Sequence, residues 1–210
     1  MRLFYAIILP DDVRKQIARV QNLLKSHIGV QGVRWEPPEK LHITVRFLGE
    51  VAPGQLEAVK AAGLAVASGI SPFSLYLGGL GTFPQKRSPR VLWLGIENDV
   101  QGYEHLVRQL ELELRTRGIA ADRSAGNEAP EPHPHITLAR AKSPEGSKAM
   151  SRSLAKNISE YTDIKAVFFV YNIVLVESEL LPNGSRYSVL ETFPLSAGST
   201  AIDPSPPAAS

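Results

Sequence analysis

The chain has 210 residues, 43% hydrophobic and 21% charged, with a formal net charge of +2 and no cysteine. That composition is globular, of a size for one domain or two small lobes sharing a core, and excludes a fibrous or largely disordered chain. The missing cysteines exclude disulfides, thiolate zinc sites, iron–sulfur clusters and a thiol nucleophile, and a charge so near zero confines any nucleic-acid binding to a local patch.

The opening apolar run, Leu3 to Leu9, is short and leads into Pro10, Asp11 and Asp12 with no small-residue cleavage site, so it reads as a buried strand rather than a signal peptide. No stretch approaches the roughly 20 apolar residues of a membrane span; the absence of cysteine fits the cytosol, and a cytoplasmic protein is expected. A helix follows, capped by Asp11 or Asp12 and stopped by Gly29, with Val13, Ile17, Val20 and Leu24 on one face. "VRW" (33 to 35) and "LHITVRFLG" (41 to 49) read as strands. Pro53 opens a second helix with Leu56, Val59 and Leu64 apolar. "FSLYLGGLGTF" and "RVLWLGI" form a hairpin joined by "PQKRSP", in which "GGLG" is a bent strand rather than a phosphate cradle. Asp99 caps a third helix with a stripe of Val100, Tyr103, Val107, Leu110 and Leu114. After the polar loop of residues 121 to 132 comes the strand "HITLARA", then a fourth helix from Ser143-Pro144 with Met150, Leu154 and Ile158 inward. "AVFFV", "NIVLVES" and "RYSVLETFPL" close the fold, the last two around an Asn-Gly turn. The folded domain is expected over 1–197, and the tail 198–210, rich in Ser, Pro and Ala, is expected to be disordered.

The tripeptide His-Ile-Thr occurs twice, at 42 to 44 and 135 to 137. Five His and seven Thr in this length predict about 0.2 His-x-Thr triplets by chance. Each motif strand is followed by a helix and further strands, which indicates two copies of one α+β unit: a bilobal, pseudo-twofold fold, each lobe a mainly antiparallel sheet with helices outside, and a cleft between them. On a strand, side chains two apart share a face. His42 with Thr44, and His135 with Thr137, therefore point one way. Leu41, Ile43, Val45 and Phe47, with Ile136 and Leu138, point to the core.

Two imidazoles and two hydroxyls converging on one volume suit in-line displacement at phosphorus. A neutral imidazole takes a proton from water, and a protonated one gives a proton to the leaving oxygen on the opposite side. The hydroxyls donate to the non-bridging oxygens, so the chemistry calls for no metal or cofactor. A 2′,3′-cyclic phosphate fits, because its ring holds the leaving oxygen beside the phosphorus.

"HITV" and "HITL", with "RLFYAIILP", "GLGTFPQKRSPRVLWLGI" and "VESELLPNGSRYSVLETFPL", resemble the two-histidine phosphoesterase superfamily and its RNA 2′,3′-cyclic phosphodiesterase branch, historically called 2′-5′ RNA ligase. The resemblance runs from about residue 2 to 196. It implies hydrolysis of 2′,3′-cyclic phosphate RNA ends to 2′-phosphomonoesters; small cyclic nucleotides are a further expected substrate, and a monomer is expected. It matches His42 to the proton donor, His135 to the base, and Thr44 and Thr137 to phosphate contacts; spacing alone does not divide the two histidine roles. Where relatives often carry an aromatic or basic residue before the second Pro-His, this chain has His133.

Further RNA-contact candidates are Lys86, Arg87 and Arg90 in the basic loop, Arg46 on the face of His42, His133 at the cleft rim, and Arg140, whose parity with Ile136 favours a structural role. Tyr187 is noted near the site, and Trp35 and Trp93 as packing residues. "HPH" alone lacks the ligand set of a zinc site. Two other readings stay open: the same residues running in reverse to join ends, and a module that binds RNA ends without turnover.

Overall fold

The computed structural model describes residues 1–29, 31–84, 88–97, 100–119, 133–155, 166–181 and 184–196. The elements run β1 (Arg2–Ile8), α1 (Asp11–Ile28), β2 (Val33–Trp35), β3 (His42–Glu50), α2 (Leu56–Ser68), β4 (Phe73–Phe83), β5 (Val91–Glu97), α3 (Gln101–Thr116), β6 (His135–Ala141), α4 (Pro144–Ala155), β7 (Val167–Val170), β8 (Asn172–Leu181) and β9 (Gly184–Pro194). Two 3₁₀ turns, Pro38–Lys40 and Pro53–Gln55, precede β3 and α2. Asp11 and Asp12 sit in the first turn of α1 rather than at its cap, where they still oppose the helix dipole. In α2 the buried face is Val59, Ala62 and Val66, whereas Leu64 is exposed. Asp99, Ile158, the loop 121–132 and the tail from Gly198 lie outside the described residues.

The strands lie in the order β7-β4-β5-β6-β3-β1-β8-β9, every pairing antiparallel, with β2 beside β6. The order is a palindrome about the two motif strands: β1 and β5 flank them, then β8 and β4, then β9 and β7. Each lobe is assembled from separated stretches of chain. β8 returns beside β1 with β9 paired outside it, and β7 joins the edge of β4. Helix α1 packs on α4, and α2 packs on α3, β8 and β9. Leu3, Tyr5 and Ile7 of β1 join the helix stripes in one continuous core, which includes Tyr103, Leu106, Leu110 and Leu114 of α3. On the other face of β1, Phe4 and Ala6 form a smaller cluster with Val174 and Val176.

The seam between the halves is narrow. β3 and β6 are in register at Ile43↔Ile136, while Ala139 to Ala141 of β6 pair with β2 instead. The chain leaving β2 must therefore cross from one lobe to the other through residues 36–41, along the edge of the gap where β3 leaves β6.

Candidate active site

His42, Thr44, His135 and Thr137 all line one pocket of about 160 Å³ beside this seam. Alternation puts them there, because Ile43, Ile136 and Leu138 between them are fully buried on the other face. Phe4 and Tyr187 wall the pocket on one side. Glu36 and Lys40, carried on the crossing segment, and Arg140 supply charge.

Both rings are held alike. His42 Nδ1 lies 2.7 Å from the carbonyl of Lys40, and His135 Nδ1 lies 2.9 Å from that of His133, in each case the residue two before. A carbonyl only accepts, so Nδ1 carries hydrogen in both rings and the neutral tautomer keeps its lone pair on Nε2. Aromatic rings fix the planes. His42 sits 5.1 Å from Phe4 and 5.4 Å, edge-on, from Tyr187. His135 sits 5.1 Å from Phe83 and 6.2 Å from Trp93. Trp93 in turn lies across the backbone of β4, where a Cβ on Gly81 would collide with its ring. The bent Gly-rich strand is therefore room for an indole.

Burial lowers the pKa of both imidazoles below the ordinary 6.5. For His42 the Lys40 carbonyl and the Glu36 carboxylate oppose that shift, while Arg140 and His135 add to it. For His135 the His133 carbonyl opposes it, and the charges of the His133 ring and Arg140 add to it. Burial, with Glu36, raises the Tyr187 phenol.

Alternation fails one step beyond each motif, and at the same step. In β3 the partners of Tyr5 and Ala6 are Arg46 and Thr44, which skips Val45; in β6 the partners of Leu92 and Trp93 are Ala139 and Thr137, which skips Leu138. Each is a β-bulge three residues after the histidine, and each reverses the parity that follows. Arg46 is therefore not a cleft residue: it turns toward the helices and pairs with Glu111 of α3 at 2.7 Å. Phe47, read from the sequence as core, instead lines the pocket under Arg2, whose guanidinium lies 5.0 Å from its ring. Arg140 likewise turns into the pocket and pairs with Glu36 at 3.3 Å.

Buried Gln21 of α1 ties this arrangement down. Its Nε2 donates to the carbonyl of the bulged Leu138 at 3.0 Å and to that of Glu36 at 2.8 Å. On the other lobe the Tyr103 hydroxyl donates to the Thr44 carbonyl at 2.8 Å. Arg90 is exposed at the start of β5 and is not among the residues lining the pocket. His133 is exposed, its ring 5.4 Å from Trp93, and it contributes its carbonyl to His135. Lys86 and Arg87 lie outside the described residues.

Glu36, Lys40, Gln21 and Ser178, the last on the pocket wall, were not found from the sequence. The first two carry a weak signal, a charged segment next to a motif strand; Gln21 stands out only as a polar residue beside an apolar stripe.

Residues 7–93 match the model of the LigT-like phosphoesterase family. The chain is 32% identical over 196 residues, 93% of its length and 99% of the relative's, to the RNA 2′,3′-cyclic phosphodiesterase of Methanothermobacter thermautotrophicus. Among solved structures, TT0787 of Thermus thermophilus is similar with a TM-score of 0.74 at 31% identity, covering 93% of this chain and 98% of that one. E. coli LigT complexed with 3′-AMP gives 0.68 at 26% identity, covering 92% and 97%. With the doubled fold and its paired-histidine pocket, these similarities establish that the chain belongs to the LigT-like phosphoesterase family.

Proposed function

We propose that the chain hydrolyses 2′,3′-cyclic phosphate ends of RNA, or small cyclic nucleotides, to 2′-phosphomonoesters without a metal ion. The observation that carries this reading is the pair of identically held imidazoles, each with Nδ1 on its own backbone carbonyl, lining one pocket with two threonines. The name of the M. thermautotrophicus relative and the 3′-AMP complex of E. coli LigT support the substrate class.

In the proposed reaction His135 Nε2 takes a proton from water, and the water oxygen attacks phosphorus. The bond from phosphorus to O3′ breaks, and His42 Nε2 gives its proton to O3′, leaving a 2′-phosphomonoester and a free 3′ hydroxyl. Thr44 and Thr137 donate to the non-bridging oxygens, and Lys40 and Arg140 add positive charge where the transition state gains negative charge. The rings differ in one respect: the Glu36 carboxylate favours a charged His42, while Arg140 disfavours the charged form of both.

The test is incubation with adenosine 2′,3′-cyclic phosphate in excess EDTA, with the product identified by chromatography. The expected product is adenosine 2′-monophosphate. A 3′-monophosphate contradicts the assigned leaving oxygen; tight binding without turnover favours a non-catalytic nucleotide-binding module; and loss of turnover in EDTA, restored by zinc, points to metal chemistry.

A further inference from the structure

A second pocket, of about 340 Å³, opens beside the first and shares Glu36, Lys40, Arg140, Ser178 and Tyr187 with it. The smaller pocket is below the range of about 300–1,000 Å³ that small-ligand sites occupy, and the larger falls within it. One cyclic phosphate with its ribose ring fills the first; the rest of a nucleotide needs the second. The larger pocket adds Arg2 and Arg34 to the shared Lys40 and Arg140, so that four cations face the single carboxylate of Glu36. Glu36 lies 3.3 Å from Arg140 and 3.7 Å from Arg34, and Arg2 is held over the Phe47 ring. None of these contacts occupies Arg2 with a carboxylate. A site of this charge suits a phosphate.

We infer that this pocket receives the phosphate on the 5′ oxygen of the terminal nucleoside, so that the protein selects a 5′-phosphorylated nucleotide or the end of an oligonucleotide over a bare nucleoside cyclic phosphate. The chemistry of the chain end sets the direction. The cyclic phosphate closes the 3′ side of the last nucleotide, so the next phosphate along the strand is the one on its 5′ oxygen. Lys40 joins the two pockets: its carbonyl holds His42 in the first while its ammonium, 2.8 Å from the Ser185 carbonyl, lines the second. The inference rests on the cyclic phosphodiesterase reading but uses residues, Arg2 and Arg34, that line only the larger pocket.

The test compares kcat/KM for adenosine 2′,3′-cyclic phosphate carrying a 5′ hydroxyl or a 5′ phosphate. The 5′ phosphate is expected to raise kcat/KM by about tenfold or more, the scale of one charge-assisted hydrogen bond. In Arg34→Gln and Arg2→Gln the ratio between the two substrates is expected to shrink toward one, with Arg34→Lys retaining part of it. Equal kcat/KM for both substrates in the unaltered protein overturns the inference, as do variants that lower both substrates equally. Calorimetry with adenosine 2′-monophosphate and adenosine 2′,5′-bisphosphate separates this failure from failure of the catalytic reading. Tighter binding of the bisphosphate without any turnover keeps the subsite and removes the reaction, whereas equal binding removes the subsite.

Discussion

Ile43 and Ile136, both fully buried, face each other as the one registered pair between β3 and β6 among the described residues. Continuing that antiparallel register sets His42 toward Thr137 and Thr44 toward His135. That contact sits at the centre of the strand order, between the two motif strands. Removing either side chain leaves a cavity at the seam. Ile43→Ala and Ile136→Ala are each expected to lower unfolding free energy by about 2–5 kcal/mol, read from urea melts. The conservative Ile→Val changes are expected to cost about 0.5–1.5 kcal/mol. Ala variants as stable as the parent contradict a packed seam.

Both histidines have lowered pKa values, and this fixes two pH dependences. The proposed mechanism needs one ring charged and the other neutral, so kcat/KM should be bell-shaped with its maximum below pH 6.5, the two limbs belonging to the coupled pair. A bound phosphate favours imidazolium, so the kcat profile should move to higher pH. Stability follows by linkage. As pH falls from 6.5 the unfolded chain takes up protons here before the folded chain does, so stability drops through the folded-state values and is fully present above 6.5. His42→Ala and His135→Ala should each flatten that slope. A kcat/KM optimum well above pH 7 contradicts the environment described for the two rings.

Gln21 bonds the carbonyls of Leu138 and Glu36 from the buried face of α1. Gln21→Leu keeps the volume and removes both donors, leaving one buried and one partly buried carbonyl a partner short. A loss of about 1–3 kcal/mol is expected in denaturant melts. A fall in kcat is expected as well, because Leu138 and Glu36 flank the second motif. An unchanged kcat at reduced stability assigns Gln21 to the scaffold alone.

Arg46 and Phe47 exchange the sides that alternation gives them, and mutation tests the exchange. Arg46→Met removes one of two arginine partners of Glu111 in α3, which keeps Arg115 at 2.9 Å, and is expected to cost about 1 kcal/mol or less. Its KM for a cyclic nucleotide should be unchanged. Phe47→Ala should raise KM while costing little stability. The opposite pattern would return Arg46 to the cleft.

This exchange also marks the boundary of what the amino-acid order reveals. The paired motifs, their inward isoleucines and the doubled strand–helix pattern are local, period-two features, and they were legible. A bulge adds one residue without a sequence mark: "ITVRF" and "ITLAR" alternate on paper, and only the partners of Tyr5, Ala6, Leu92 and Trp93 reveal the skipped Val45 and Leu138. Glu36 and Lys40 enter the site because β2 pairs with β6 while β3 pairs with β1. Tyr187 enters because β8 returns beside β1 and β9 pairs with β8. Those are contacts between residues far apart in the chain, which no local window contains.

Side-by-side turnover of adenosine 2′,3′-cyclic phosphate by the parent, His42→Ala and His135→Ala, at matched folded concentration in EDTA, tests the paired-histidine mechanism most directly. Each variant is expected to lose roughly 10²–10⁴-fold in kcat, the range of general acid–base catalysis. Near-parent turnover by either variant would contradict the proposal that both imidazoles transfer protons in the reaction.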